Sequence, residues 1–160
     1  MKVHSFTIDF TEYDSTDQLD EGLKTRLKKT EEFLSHAYAP YSKFQVSAMC
    51  VLDDGTEVMG TNQENAAYPS GLCAERVAVF AAKSRFPDKK IDKIVITTAK
   101  GDDQPVTPCG GCRQVIMEYE QQQQQPIQLV LKAVDSKVWV FQSMNDLLPF
   151  AFNGSLLKKG

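Results

Sequence analysis

The sequence predicts an α/β protein: a three-layer α/β/α sandwich in which helices cover both faces of one mixed sheet. Three observations lead there. Short apolar runs of strand length alternate with helix-length segments along the chain. Ile91 to Ala99 is β-branched and apolar enough for a strand buried on both faces. The chain has 160 residues, 42% hydrophobic and 24% charged, which is enough to build a full core without disulfide staples.

Each element has a local reason. Phe6, Ile8 and Phe10 alternate within Val3 to Phe10 and predict a short half-buried strand. Ser15 and Gln18 have capping-box spacing, and Leu19, Leu23, Leu27 and Leu34 share one face, which predicts a helix from about Asp17 to Tyr38. Pro40 stops it, because proline disfavours helical geometry in the residue before it. Phe44 to Leu52 and Thr56 to Thr61 read as a hairpin turning at Asp53-Asp54-Gly55. A loop holding Asn62, Asn65, Pro69, Ser70 and Gly71 leads into a helix from about Cys73 to Arg85. After the Ile91 to Ala99 strand, a polar loop from Gly101 to Pro108 opens a helix from Cys109 to about Gln121. The glutamines Gln121 to Gln125 read as a frayed helix end and solvated loop. Ile127 to Ala133 and Val138 to Phe141 are two more strands, followed by a short helix from about Met144 to Leu148. No repeat or linker interrupts this order, so residues 1–160 read as one domain.

Charge narrows the function. The formal net charge is -3 and the pI about 5.4. A protein that grips nucleic acid needs a basic stripe to displace counterions from phosphates. Lys24, Arg26, Lys28 and Lys29 cluster, but Asp20, Glu21, Glu31 and Glu32 flank them, the pattern of a solvated helix face. No nucleic-acid partner is expected, and a small, weakly charged substrate fits better. Met1 to Phe10 lacks the apolar stretch of a secretory signal, and no run approaches the ~18 apolar residues of a membrane span. The expected location is the cytoplasm, with no membrane partner. Thiols stay reduced there, so Cys50, Cys73, Cys109 and Cys112 read as metal ligands, catalytic groups or core rather than disulfides.

The sharpest motif is Pro108-Cys109-Gly110-Gly111-Cys112 at a predicted helix start. Cysteines three apart on a first turn share a face, and the helix N-terminus favours their thiolates. Alone, the pair is equally half of a structural zinc site or a redox pair. Cys73-Ala74-Glu75 opens the preceding predicted helix. Two helices crossing from adjacent strands can bring their tips to one point at the carboxyl ends of the strands. Three thiolates from two tips leave one metal position open, whereas a structural zinc site normally closes with four ligands. Closure would need Cys50, His36 or His4; Cys50 sits in an apolar strand as core, and neither histidine has partner spacing. Glu75, on the first turn, can then reach a water activated by the metal and serve as general base and acid.

Cysteine, glutamate, then Pro-Cys-x-x-Cys is the pattern of the zinc-dependent nucleoside and nucleobase deaminases. From about Ala37 to Phe152 the chain resembles the small homotetrameric cytidine deaminases. The matching stretches are Ala39-Pro40-Tyr41-Ser42-Lys43-Phe44, Gly60-Thr61-Asn62-Gln63-Glu64-Asn65-Ala66, Cys73-Ala74-Glu75-Arg76, Pro108-Cys109-Gly110-Gly111-Cys112-Arg113-Gln114 and Leu147-Leu148-Pro149. The resemblance implies a mixed five-stranded sheet and one zinc ion per subunit on Cys73, Cys109 and Cys112, with Glu75 shuttling protons. It implies hydrolysis of cytidine and 2′-deoxycytidine to the uridines and ammonia, in pyrimidine salvage, by a homotetramer with shared pockets. Asn62 and Glu64 would hold the sugar 3′-hydroxyl. Glu75 and the Ala74 backbone would contact the pyrimidine, Phe44 would form its aromatic wall, and backbone around Ala66 and Tyr68 would complete the pocket. Phe152 would be the ring a neighbouring subunit lays over the base, with Phe150 as the alternative. Arg76 would offset the excess negative charge of three thiolates on a divalent ion; a surface salt bridge is the plainer reading of it.

Three features depart from that pattern: an additional segment Met1 to Asp14, Ser47 where relatives usually have glycine, and the glutamine run. Other functions remain to be separated. A blasticidin S-type deaminase usually lacks the Asn-x-Glu pair, a nucleic-acid editor needs a basic aromatic channel, and an inactive zinc-binding module has no need of Glu75.

Overall fold

A computed structural model describes residues 1–154 and Leu157. Its centre is one sheet of six strands in the order β1-β6-β5-β4-β2-β3. In chain order these are β1 (Thr11–Tyr13), β2 (Val46–Leu52), β3 (Glu57–Thr61), β4 (Ile91–Thr98), β5 (Gln128–Ala133) and β6 (Val138–Phe141). The helices are α1 (Glu21–Phe33), α2 (Ala74–Arg85) and α3 (Gly110–Gln123). Only β4 and β5 are parallel. A parallel pair needs a long crossover, and α3 is that crossover.

The expected sandwich is present, with six strands rather than five. Alternate residues of the central strands feed two cores. Ala48, Cys50, Ile94, Ile96, Leu129 and Leu131 face α2 and α3. Met49, Val51, Val95 and Val130 face α1 through Leu23 and Leu27. Burial on both faces is why these strands read as continuous apolar runs.

The seating of α2 matters most for the site. Ala74, Ala78 and Ala82, spaced by four, are all fully buried against the sheet. They meet Gly60 on β3, where an added Cβ would lie 2.5 Å from the Ala78 nitrogen and 2.8 Å from the Ala74 carbonyl oxygen. Only a glycine lets the strand backbone approach this closely.

Several boundaries differ from the sequence expectations. Val3 to Phe10 is not a strand; β1 is the three residues Thr11–Tyr13, paired antiparallel to Val138–Val140. The aromatic alternation instead packs rings, with Phe10 5.0 Å from Trp139 and 5.1 Å from Phe141, and Phe6 6.2 Å from Phe150. The Ser15–Gln18 capping box forms, but around a single 3-10 turn (Thr16–Gln18). The helix begins again at Asp20, whose carboxylate accepts from the Leu23 N–H at 2.9 Å, and ends at Phe33 before a second 3-10 turn. The hairpin turns at Gly55, with φ +84°, as expected. The short helix near Met144 is a 3-10 turn, Met144–Asp146.

The glutamine run is not simply frayed. α3 persists to Gln123 and stops as Gln124 turns left-handed at φ 52°. The Gln123 carboxamide accepts from the Ile91 N–H (2.9 Å) and donates to the Ile91 carbonyl (2.8 Å), substituting for a strand at the start of β4. Nearby, the buried Glu120 carboxylate accepts from the Ile127 N–H (2.7 Å), the Met144 N–H (2.9 Å) and the Ser143 hydroxyl. It joins α3 to β5 and to the turn beyond β6. Among the described residues, no helix is long and apolar enough to cross a membrane.

Candidate active site

Cysteine occupies the N-cap of both α2 and α3. Cys73 (φ -72°, ψ 154°) and Cys109 (φ -64°, ψ 162°) have extended backbones, and neither side chain caps its helix. Their carbonyls accept the first helical bonds, from Val77 (3.1 Å) and Arg113 (2.9 Å). The sulfurs therefore sit against helix tips, where the dipole favours negative charge.

The sulfurs of Cys73, Cys109 and Cys112 all lie within 4.8 Å of one another. Cys73 to Cys109 is 3.8 Å and Cys109 to Cys112 is 3.5 Å. A tetrahedral zinc with Zn–S of ~2.3 Å separates its sulfurs by about 3.8 Å, so the spacing and the donor set fit zinc. No fourth cysteine, histidine or carboxylate joins the cluster among the described residues. Cys50 is a fully buried core thiol whose pKa burial pushes up to about 12.

Electrostatics distinguish the Cys73 and Cys112 sulfurs. The neighbouring Cys112 thiol is the main influence holding the Cys73 pKa down, at about 5; it outweighs desolvation, and Arg76 and Cys109 add to it. Cys112, buried and facing the Cys73 sulfur, is held above its ordinary value. The Arg76 Nη2 lies 3.7 Å from the Cys73 sulfur, which raises the guanidinium's own pKa. Arg76 thus reaches one sulfur of the cluster, that of Cys73. Glu75 is 5% exposed. Burial is the main cause of its raised pKa, the Cys73 charge adds to it, and its carboxyl is within hydrogen-bonding reach of Cys112.

The loop after β3 is pinned beside this cluster. Gln63 exchanges both backbone hydrogen bonds with Leu72 (2.9 Å each), while the Tyr38 N–H donates to Asn62 and the Glu64 N–H to Tyr38. An open cleft of about 630 Å³ results, lined by Asn62, Glu64, Tyr68, Leu72, Cys73 and Arg76 among others. Its size suits a nucleoside-sized ligand. Asn62 accepts from the Val46 N–H (2.8 Å) and donates to the Phe44 carbonyl (2.9 Å), which leaves one N–H and one lone pair. Glu64 accepts from the Tyr41 and Ser42 N–H groups (2.9 and 3.2 Å) and from the Ser42 hydroxyl. The hydroxyl bond is the main cause of its lowered pKa.

The structure brings Cys73, Cys109, Cys112, Glu75 and Arg76 together, with Asn62, Glu64 and Tyr68 along the cleft. Ala74 is fully buried, and it, Glu75, Cys109 and Cys112 are not among the residues that line the cleft. Phe44, Ala66 and Phe152 do not line the cleft within this chain. Phe44 is half-buried, Ala66 is exposed, and Phe152 is 63% exposed. Sequence reasoning gave no role to Arg113. Its Nε donates to the Pro108 carbonyl (2.7 Å), Nη1 to the Leu147 carbonyl (2.8 Å) and Nη2 to the Thr107 hydroxyl (2.8 Å). The available signal was its place directly after Cys112.

A three-sulfur centre at two helix tips, with a buried carboxylate beside it, is the arrangement of a metal-dependent hydrolase. The family model described as the cytidine and deoxycytidylate deaminase zinc-binding region matches residues 21–125. A cytidine deaminase of Halalkalibacterium halodurans is 35% identical over 134 residues, covering 79% of this chain and 90% of that one. One from Sporosarcina psychrophila is 44% identical over 99 residues, covering 62% and 68%. The crystal structure of cytidine deaminase from Burkholderia pseudomallei superposes with a TM-score of 0.72 at 34% identity, over 84% of this chain and all of that one. The chain belongs to the cytidine and deoxycytidylate deaminase zinc-binding family.

Proposed function

We propose that this chain hydrolyses cytidine and 2′-deoxycytidine to uridine and 2′-deoxyuridine with release of ammonia. The observation that carries the reading is the buried Glu75 carboxyl within reach of Cys112 in a three-sulfur cluster whose Cys73 lines a nucleoside-sized cleft. Relatives named cytidine deaminase support the substrate class.

Cys73, Cys109 and Cys112 would hold zinc as thiolates. Zinc at such a site lowers the pKa of a water towards ~7 and so supplies a nucleophile at neutral pH. Glu75 takes a proton from the attacking water and passes it to N3 of the ring as C4 gains oxygen. It then takes the proton of the new C4 hydroxyl and passes it to the exocyclic nitrogen. The C4–N bond breaks, C4 becomes a carbonyl, and ammonia leaves. The raised pKa of Glu75 suits this exchange, because a carboxyl that holds its proton nearer neutrality can both accept and return one. Arg76 offsets part of the thiolate charge through Cys73. Asn62 and Glu64 would bind the sugar 3′-hydroxyl from the pinned loop. Ala74 backbone, Phe44, Ala66 and Tyr68 would frame the base, and Phe152 of another subunit would cover it.

Phe152 is exposed and outside its own chain's cleft, which leaves it free to enter a neighbouring pocket; the homotetramer itself rests on the family resemblance. The chain acts as one domain in the cytoplasm, without nucleic-acid or membrane partners. The test is ultraviolet monitoring of purified protein with cytidine, alongside metal analysis. Expected are uridine and ammonia in equal amounts, activity lost to a zinc chelator and restored by zinc. A protein carrying one zinc per chain that leaves cytidine untouched would contradict the reading.

A further inference from the structure

The residues immediately after Cys112 both reach the same distant segment. Arg113 donates from Nη1 to the Leu147 carbonyl at 2.8 Å, and Gln114 donates from Nε2 to the Phe152 carbonyl at 3.0 Å. These two bonds fix the ends of a six-residue stretch that contains Pro149, whose ring removes one backbone freedom. The same guanidinium holds the Pro108 carbonyl and the Thr107 hydroxyl, just before Cys109. One side chain therefore braces the cysteine turn and the C-terminal segment together. Charged donors to carbonyls are among the stronger hydrogen bonds, and the planar fork fixes direction as well as distance.

The two rings of the segment are held differently. Phe150 is 91% exposed, touches Phe6 of the N-terminal segment at 6.2 Å between centroids, and has no hydrogen bond from α3 to its backbone among those described. Phe152 has its backbone tied to α3, and the residue is 63% exposed. A ring on a fixed backbone presents its apolar face at small entropic cost.

We propose that Arg113 and Gln114 are positioning residues that fasten Leu147–Phe152 to the metal end of α3 and thereby set the Phe152 ring for recognition of the base. This rests on the deaminase reading above and selects Phe152 over Phe150 as the covering ring. Gln114 acts only through the Phe152 carbonyl, so its loss weakens substrate and transition state alike. That raises KM and leaves kcat nearly unchanged.

The test uses the full-length zinc-loaded protein in two arms. In the first, amide hydrogen exchange follows residues 144–154, and metal analysis follows zinc. Gln114→Ala and Arg113→Lys are expected to speed exchange in that segment about fivefold or more while zinc stays at one per chain. In the second, Gln114→Ala is expected to raise KM for cytidine about tenfold with kcat within about twofold. Gln114→Lys, which keeps a donor, should restore KM, and Gln114→Ala should add little in a Phe152→Ala background, because coupled residues are not additive. Unchanged exchange, an unchanged KM, or full additivity with Phe152→Ala overturns the proposal. A wild-type protein inactive on cytidine refutes the functional reading instead; the exchange arm then still decides whether α3 anchors the segment.

Discussion

Gly60→Ala is a direct probe of how the sheet places the cysteine site. The added Cβ would lie 2.5 Å from the Ala78 nitrogen, 2.8 Å from the Ala74 oxygen and 2.9 Å from the Ala78 Cα, all helix backbone. Ordinary contact begins at 3.4 Å, so α2 or β3 must retreat by up to about 0.9 Å, with no flexible side chain to absorb the move. Overpacking of this kind costs about 1–3 kcal/mol. In a chain of this size each kcal/mol lowers Tm by about 2–4 °C, so a fall of roughly 2–12 °C is expected. The displaced helix carries Cys73 at its N-cap and Glu75 on its first turn. Metal–ligand distances tolerate only about ±0.2 Å, so zinc affinity should drop about tenfold or more in a chelator competition. Calorimetry and that competition together form the assay. A Gly60→Ala protein with unchanged Tm and unchanged zinc affinity would refute the claim that this contact seats α2.

Two other substitutions test the interior. Glu120→Ala removes the acceptor for the buried Ile127 and Met144 N–H groups and for the Ser143 hydroxyl. At about 1–3 kcal/mol for each of the two buried N–H groups left stranded, a loss of about 2–6 kcal/mol is expected in urea unfolding, and a loss under about 1 kcal/mol would show that the carboxylate holds nothing together. Ser47→Ala deletes a buried hydroxyl with no hydrogen-bond partner in the structure, so stability should be unchanged or rise by up to about 1 kcal/mol. A clear destabilisation in the same assay would mean the hydroxyl has a partner.

The central elements were legible because their signals are local. Ile91 to Thr98 and Gln128 to Ala133 are apolar runs that only a doubly covered strand can bury, and the cysteines mark the starts of α2 and α3 in the sequence itself. The N-terminal segment misled because alternation reports which side chains are buried together, not whether the backbone finds a ladder. Phe10 is held by Trp139 and Phe141 without one. The Ser15–Gln18 box was correct chemistry on a shorter element, since Asp20 supplies a second cap that restarts the helix. In the site, Cys73, Cys109, Cys112 and Glu75 were readable from spacing and residue type. The engagement of Asn62 with β2, of Glu64 with the Tyr41–Ser42 turn, and of Arg113 with Pro108 and Leu147 was not. Those bonds join residues far apart in the chain, or loops whose approach only the folded sheet determines.

Glu75→Gln offers the sharpest single test of the site. Gln keeps the size and polarity of the side chain but can neither accept the water's proton nor return one. One zinc per chain should remain bound, while cytidine turnover under saturating substrate falls by at least about 10²-fold. A zinc-loaded Glu75→Gln protein that deaminates cytidine near the wild-type rate would contradict the role assigned to the carboxylate beside the three sulfurs.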